Sequence, residues 1–228
     1  VASWNIHKGV GADRRRDMLR TARVIADLGA DLVALQEADL RFGTRAGLLD
    51  LDLLRAEAGL VPVPTGRQGP SHGWHGNLIL VREAEVRHVQ RLTLPGFEPR
   101  GALVSDLQIR GRQLRVIAAH FGLLPRSRRR QSRALADLLD GETDPHPTLL
   151  MGDLNEWRTG AGSPLAPLTR HFRPAIAPRS YPARFPFLPL DRLMACHRGE
   201  LHDIAVHDTP LARAASDHLP LTARLILP

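Results

Sequence analysis

A single lysine, Lys8, a single cysteine, Cys196, and few aromatic side chains (Trp 3, Tyr 1, Phe 6) are the shortages of this 228-residue chain. One cysteine can neither close an intramolecular disulfide nor build a thiolate zinc site, so both are excluded, and a reduced, cytoplasmic setting fits that usage. No run of about 18 apolar residues occurs, which excludes a membrane-spanning helix. No charged-then-apolar signal segment precedes the first strand, although Val1 already lies in a strand-like run and a trimmed leader stays open. Few aromatics also speak against an extended base-stacking platform.

What is abundant is arginine. The formal charge of +7 comes almost wholly from it, so the surface is expected to attract phosphates or acidic head groups. A GC-rich genome is an equal account of the same composition. With 43% hydrophobic residues and no linker, repeat or low-complexity stretch, the chain reads as one domain over residues 1–228, and as a monomer.

Hydrophobic periodicity predicts a strand at Val1–Ile6, a helix over Asp13–Leu28 closed by Gly29, a buried strand at Asp31–Gln36 and a helix at Leu48–Ala58. Shorter β-runs follow at Asn77–Arg82, Glu85–Leu92, Ala102–Ile109 and Gln113–Ala119, the last two joined as a hairpin by Arg110-Gly111-Arg112. A helix at Arg126–Leu139 and a strand at Thr148–Met151 come next, then long loops with one short helix from Arg158 to Pro189. Strands at Leu190–Ala195, Leu201–His207 and Leu219–Leu227 close the chain. Hairpins interspersed with few helices favour two stacked sheets over a doubly wound parallel one.

Polar side chains stand directly at the ends of these apolar runs, where burial without a partner is costly. Asn5 follows VASW; it bridges backbone groups or serves a ligand. Glu37 ends DLVALQ and needs a partner, either a hard cation or an arginine. His120 ends LRVIAA as an interior histidine or a site residue. Asp153 and Asn155 follow TLLMG and, two apart in extended backbone, face one ligand; an Asx-type turn is the competing account. Asp191 follows FPFLPL, and Asp217 with His218 precedes LPLTARLIL, as a loop tie or as metal and phosphate contacts.

Taken together, WNIH, LQEAD, HGNLIL, AAHFGL, GDLNEW, LDRLM and SDHLPL make the chain resemble the endonuclease/exonuclease/phosphatase superfamily, the deoxyribonuclease I-like metal-dependent phosphoesterases, over nearly its whole length. The resemblance implies an α/β (α+β) four-layer α/β/β/α sandwich, two stacked mixed sheets flanked by helices, with the site at one end. It implies that Glu37 holds Mg²⁺ or Mn²⁺, helped by Asn5 and by Asp217. Asp153 would orient or deprotonate the attacking water, Asn155 would steady it, and His218, fixed by Asp191, would contact the phosphate. His120 would sit near the leaving group, and Asn77, in the HGN motif, would bind substrate.

Such a division suits the chemistry, because a phosphodiester repels hydroxide and needs positive charge, a positioned water and a stabilised leaving oxygen. The substrate is less constrained. Arg126, with Arg128, Arg129, Arg130 and Arg133, opens a helix as a phosphate patch or as a solvated face. Trp74 and His75 offer stacking surfaces, Tyr181–Leu190 (YPARFPFLPL) packs on the sheet or meets lipid, and Arg100 sits in a turn from which it can point at the site, with no role assigned. The expected activity is hydrolysis of a phosphodiester in nucleic acid or a phospholipid head group; a phosphomonoesterase and a silent anion-binding relative are the alternatives.

Overall fold

The computed structural model describes residues 1–40, 43–66, 69–142, 146–173 and 176–228. One sheet joins β1 (Ala2–Asn5), β2 (Leu32–Gln36), β3 (Val61–Pro62), β4 (Leu78–Val81), β10 (Glu200–Val206) and β11 (Leu221–Ile226) in the order β10-β11-β1-β2-β4-β3. The other runs β5 (Glu85–Leu94), β6 (Arg100–Ile109), β7 (Arg112–His120), β8 (Thr148–Asp153) and β9 (Asp191–Ala195) in sequential order. Both are mixed: β1–β2 and β7–β8 are parallel, and the remaining pairs are antiparallel.

The period-2 alternation of the strands dictates the layers. In β2, Val33 and Leu35 point into a core shared with α1 (Met18–Asp27), α2 (Leu51–Ala58) and α4 (Pro210–Ala215), while Leu32 and Ala34 point between the sheets. In β7, Leu114, Val116 and Ala118 complete that middle layer. Ile117 and Ala119 face a third core under α3 (Pro125–Asp140). The result is the expected helix–sheet–sheet–helix stack. Because β2 is covered on both faces, truncating Leu35 to Ala costs about 2–5 kcal/mol of stability.

Several boundaries differ from the periodicity reading, each for a local reason. The helix expected from Asp13 begins at Met18, because Asp17 caps it by accepting from the Arg20 N–H and Asp13 is spent on a turn closed by the Arg15 N–H. The helix expected from Leu48 begins at Leu51 behind the cap Asp50. The six-residue α4 is too short to show a period. The β6–β7 hairpin does turn at Arg110 and Gly111, both left-handed at φ 50° and 78°. In the Arg158–Pro189 loops a single 3₁₀ turn forms at Ala166–Leu168, and residues 174–175 lie outside the described residues.

Each sheet contributes one parallel pair, and both pairs end on the same side. Asn5 stands opposite Gln36, next to Glu37; His120 stands opposite Asp153. Asp191 opens β9 directly across from Asp153. Five chain segments thus deliver polar side chains to one edge.

Candidate active site

The inner half of the cluster is a buried charge chain. His218 Nδ1 is 2.9 Å from Asp191 Oδ2, which also accepts from Ser180 Oγ at 2.5 Å, and His218 Nε2 faces Asp153 Oδ2 at 3.7 Å. The Tyr181 ring lies 4.7 Å from the His218 ring. Burial opposes a charge on His218, but Asp191 and Asp153 outweigh it and hold the imidazole protonated well above its usual range. Burial likewise opposes ionised Asp153, and His218, His120 and Asn5 outweigh that and hold it below the usual carboxylate range.

Asp153 is a hub between the sheets. Its Oδ2 accepts from Asn5 Nδ2 at 2.9 Å and lies 3.4 Å from His120 Nε2, and its Oδ1 accepts from the Asn155 N–H at 3.0 Å. That last bond is the Asx-type turn, so extended backbone does not aim Asn155. Asn155 instead turns left-handed at φ 52° and donates through Nδ2 to Phe121 O at 3.0 Å. Arg100 Nη1 lies 2.9 Å from His120 Nδ1. Since a guanidinium only donates, that ring nitrogen accepts and the ring proton sits on Nε2, facing Asp153.

The outer half is more open. Glu37, left-handed at φ 56°, is aimed off the end of β2 with Gly76 against its backbone, where any Cβ would come within 3.3 Å of its Cα. The partner of its carboxylate is Lys8, not an arginine. Burial raises the pKa of Glu37, but His120, Lys8 and Arg100 beside it lower it further. Asp217 sits on the rim, 3.5 Å from His7 Nδ1, and pairs there rather than with Glu37. A left-handed backbone at His7, Lys8, Glu37, His75 and Asn155 concentrates strain around this one edge.

Residues 2–218 match the Endonuclease/Exonuclease/phosphatase family. The chain belongs to that family. It is 32% identical over 249 residues to the uncharacterized protein YbhP of Escherichia coli (strain K12), covering 100% of this chain and 96% of that one. Among solved structures, mannosyl-6-phosphatase Bt3783 of Bacteroides thetaiotaomicron VPI-5482 is similar at TM-score 0.76 and 16% identity, covering 99% of this chain and 98% of that chain. D. rerio TDP2, solved with a single-strand DNA product, is similar at 0.69 and 14%, covering 99% and 97%. These likenesses establish the shared fold.

Members of the endonuclease/exonuclease/phosphatase family are phosphoesterase hydrolases, typically dependent on a divalent metal. Asp153, Asp191 and His218 bring ligand atoms within 4.8 Å of one another. A cation in that trio would have to compete with the bonds Asp191 already makes to His218 Nδ1 and Ser180 Oγ. Glu37 suits one better. Its carboxylate is partly exposed, follows Gln36 where β2 pairs with Asn5 of β1, and is ion-paired with Lys8, a flexible side chain that is itself partly exposed.

Of the residues read from the sequence, Asn5, Glu37, His120, Asp153, Asn155, Asp191 and His218 meet at this edge of the family fold, with Asp217 on its rim. Arg126 is exposed on the first turn of α3. Asn77 does not reach the edge: it is fully buried, donating to Trp74 O and Gly101 O. Lys8, Ser180 and Tyr181 were missed as members of the cluster, and Arg100 had no assigned role. Only Lys8 left a signal, as the chain's sole lysine immediately after WNIH.

Proposed function

We propose that the chain hydrolyses a phosphodiester by divalent-metal-dependent attack of a water activated by Asp153. The observation that carries this reading is the Asp191–His218–Asp153 chain, a buried imidazolium between two carboxylates at a strand-end cluster. Glu37, with Asn5 and the rim residue Asp217, would hold Mg²⁺ or Mn²⁺, which supplies positive charge to the nonbridging phosphate oxygens.

The chain's own groups do the rest. Asp153, ionised throughout the neutral range, orients the water and draws its proton. Asn155 and Asn5 keep that carboxylate from rotating. His218 Nε2, 3.7 Å from Asp153 Oδ2, is beyond hydrogen-bond distance of that carboxylate, and its N–H is free to meet a phosphoryl oxygen. His120 Nε2–H, its ring held in place by the guanidinium of Arg100 behind it, serves the leaving oxygen. Arg126, exposed on the first turn of α3, adds a phosphate contact. The setting is cytoplasmic, in keeping with the free thiol of Cys196, and the acting unit is a monomer of one domain.

The test is turnover of bis-para-nitrophenyl phosphate, para-nitrophenyl phosphate and supercoiled plasmid with Mg²⁺, Mn²⁺ or EDTA. Diester hydrolysis that needs the ion and falls about a hundredfold or more in Asp153→Asn is expected. Turnover of the monoester alone would replace the diester with a phosphomonoester, the kind of activity named for the Bacteroides neighbour. No turnover with either ion would end the hydrolase reading.

A further inference from the structure

Among the described residues every well-exposed phenylalanine or tryptophan, namely Phe97, Trp157, Phe185 and Phe187, lies in a loop tied to the catalytic edge. Trp157 follows Asn155 by two residues. Phe97 precedes Arg100, the partner of His120, by three. Phe187 donates its N–H to Tyr181 O, in the turn whose Tyr181 covers His218. Exposed Leu123 and Leu124 follow His120.

These side chains fall into two apolar groups. Leu123 N–H donates to Glu98 Oε1 at 2.8 Å, and Phe97 N–H reaches Ser127 Oγ at 3.5 Å. Arg128 bonds Leu123 O and lies 5.7 Å from the Trp157 ring, so Phe97, Leu123 and Trp157 share one patch. Phe185 and Phe187, 73% and 59% exposed, make the other. Single exposed apolar residues are ordinary, whereas their collection around one mouth marks a surface that meets something apolar.

Charge identifies the partner. The exposed charged side chains of the same loops and of the first turns of α3 are Arg126, Arg129, Arg130, Arg158, Arg179 and Arg184. The carboxylates there are engaged: Glu98 accepts the Leu123 N–H, and Glu156 is wholly buried against Arg128 and Arg158. Aromatic and leucine tips ringed by arginine suit the boundary between acyl chains and anionic head groups. Single-stranded nucleic acid would use the rings but has no use for Leu123 and Leu124. Among the described residues no helix is long and apolar enough to cross a membrane.

We propose that this mouth docks on an anionic phospholipid surface, which makes a lipid phosphodiester the substrate class. The docking stands by itself, and the substrate class rests on the phosphoesterase reading above. The full chain, kept in EDTA so that turnover plays no part, is sedimented with vesicles of mixed phosphatidylcholine and phosphatidylglycerol, and with pure phosphatidylcholine. Partitioning to the anionic vesicles is expected, reduced about tenfold or more in Phe185→Ser/Phe187→Ser and in Leu123→Ser/Leu124→Ser. Ile226→Ser, exposed at the far end of β11, is expected to partition as the wild type does.

Absence of partitioning, or partitioning indifferent to both double variants, overturns the proposal. So does loss of oligothymidylate binding in those variants with vesicles ignored, which would make the mouth a nucleic-acid site. Thermal melting shows whether the variants fold, and soluble bis-para-nitrophenyl phosphate separates the two readings. Its hydrolysis without vesicle binding ends the docking alone, while vesicle binding without its hydrolysis ends the hydrolase reading alone.

Discussion

The two halves of the cluster differ in how freely their charges can change partners. Asp153, His120, Asp191 and His218 are 2%, 2%, 0% and 5% exposed, and each is bonded to a residue from another chain segment. Glu37 and Lys8 have side chains 20% and 28% exposed, and Asp217 and His7 are more open still, at 41% and 39%. In the inner half, low dielectric makes every charge expensive unless its partner stays, so the geometry is held before substrate arrives. In the outer half, solvent screens the pairs and an ion pair is worth little, so Lys8 can yield Glu37 to a divalent cation. Preorganisation and exchange are assigned to different strands.

The sharpest break in that comparison is expected at Asp153. Asp153→Asn removes the charge that water, Asn5 and both histidines share, and kcat falls about a hundredfold or more at any metal concentration. Next comes Asp191→Asn, which strands the buried charge of His218. It should lower stability by about 3–5 kcal/mol in denaturant unfolding, and kcat by about a hundredfold.

The pH dependence follows from the same pair. The His218 pKa is raised from 6.5 to about 10, so its contribution to stability is complete below pH 6.5 and is lost as pH rises through about 10. Asp153 is depressed from 3.8, so its contribution is complete above that value and lost only as the solution becomes more acid. Melting temperature should therefore decline between pH 6.5 and 10, and His218→Gln should remove that alkaline decline. A wild-type melting curve flat across this range would show that His218 is neutral.

Smaller effects belong to the outer half. Glu37→Gln should raise the Mg²⁺ needed for half-maximal turnover about tenfold or more, with much of the rate recovered at saturating ion. Smallest is Lys8→Met, which removes the competing ammonium and should tighten Mn²⁺ binding about two- to fivefold by calorimetry.

The same division explains what was legible before any coordinates. Asn5, Glu37, His120, Asp153 and His218 could be read because each ends or precedes an apolar strand run, and a strand's direction is a local property. Where β1, β2, β7 and β8 end together is not local, and a four-layer stack could be argued only from hairpins and resemblance. Arg100 can be noted in the sequence as a turn arginine able to point at the site but given no role there, because its bond to His120 depends on β6–β7 register. Asn77 was included because its motif resembles the family's, while its burial depends on Gly101 from a distant strand. Asn155 stands beside Asp153 through the Asx-type turn, the alternative to extended backbone, because its own backbone is left-handed.

The most direct test of the division is Mn²⁺ binding by calorimetry together with kcat at saturating Mn²⁺, measured on Glu37→Gln and Asp191→Asn side by side. Glu37→Gln should weaken Kd and largely keep kcat, while Asp191→Asn keeps Kd and loses kcat. The reverse pattern, with Asp191→Asn abolishing Mn²⁺ binding and Glu37→Gln leaving it intact, would put the ion in the buried trio and contradict the account.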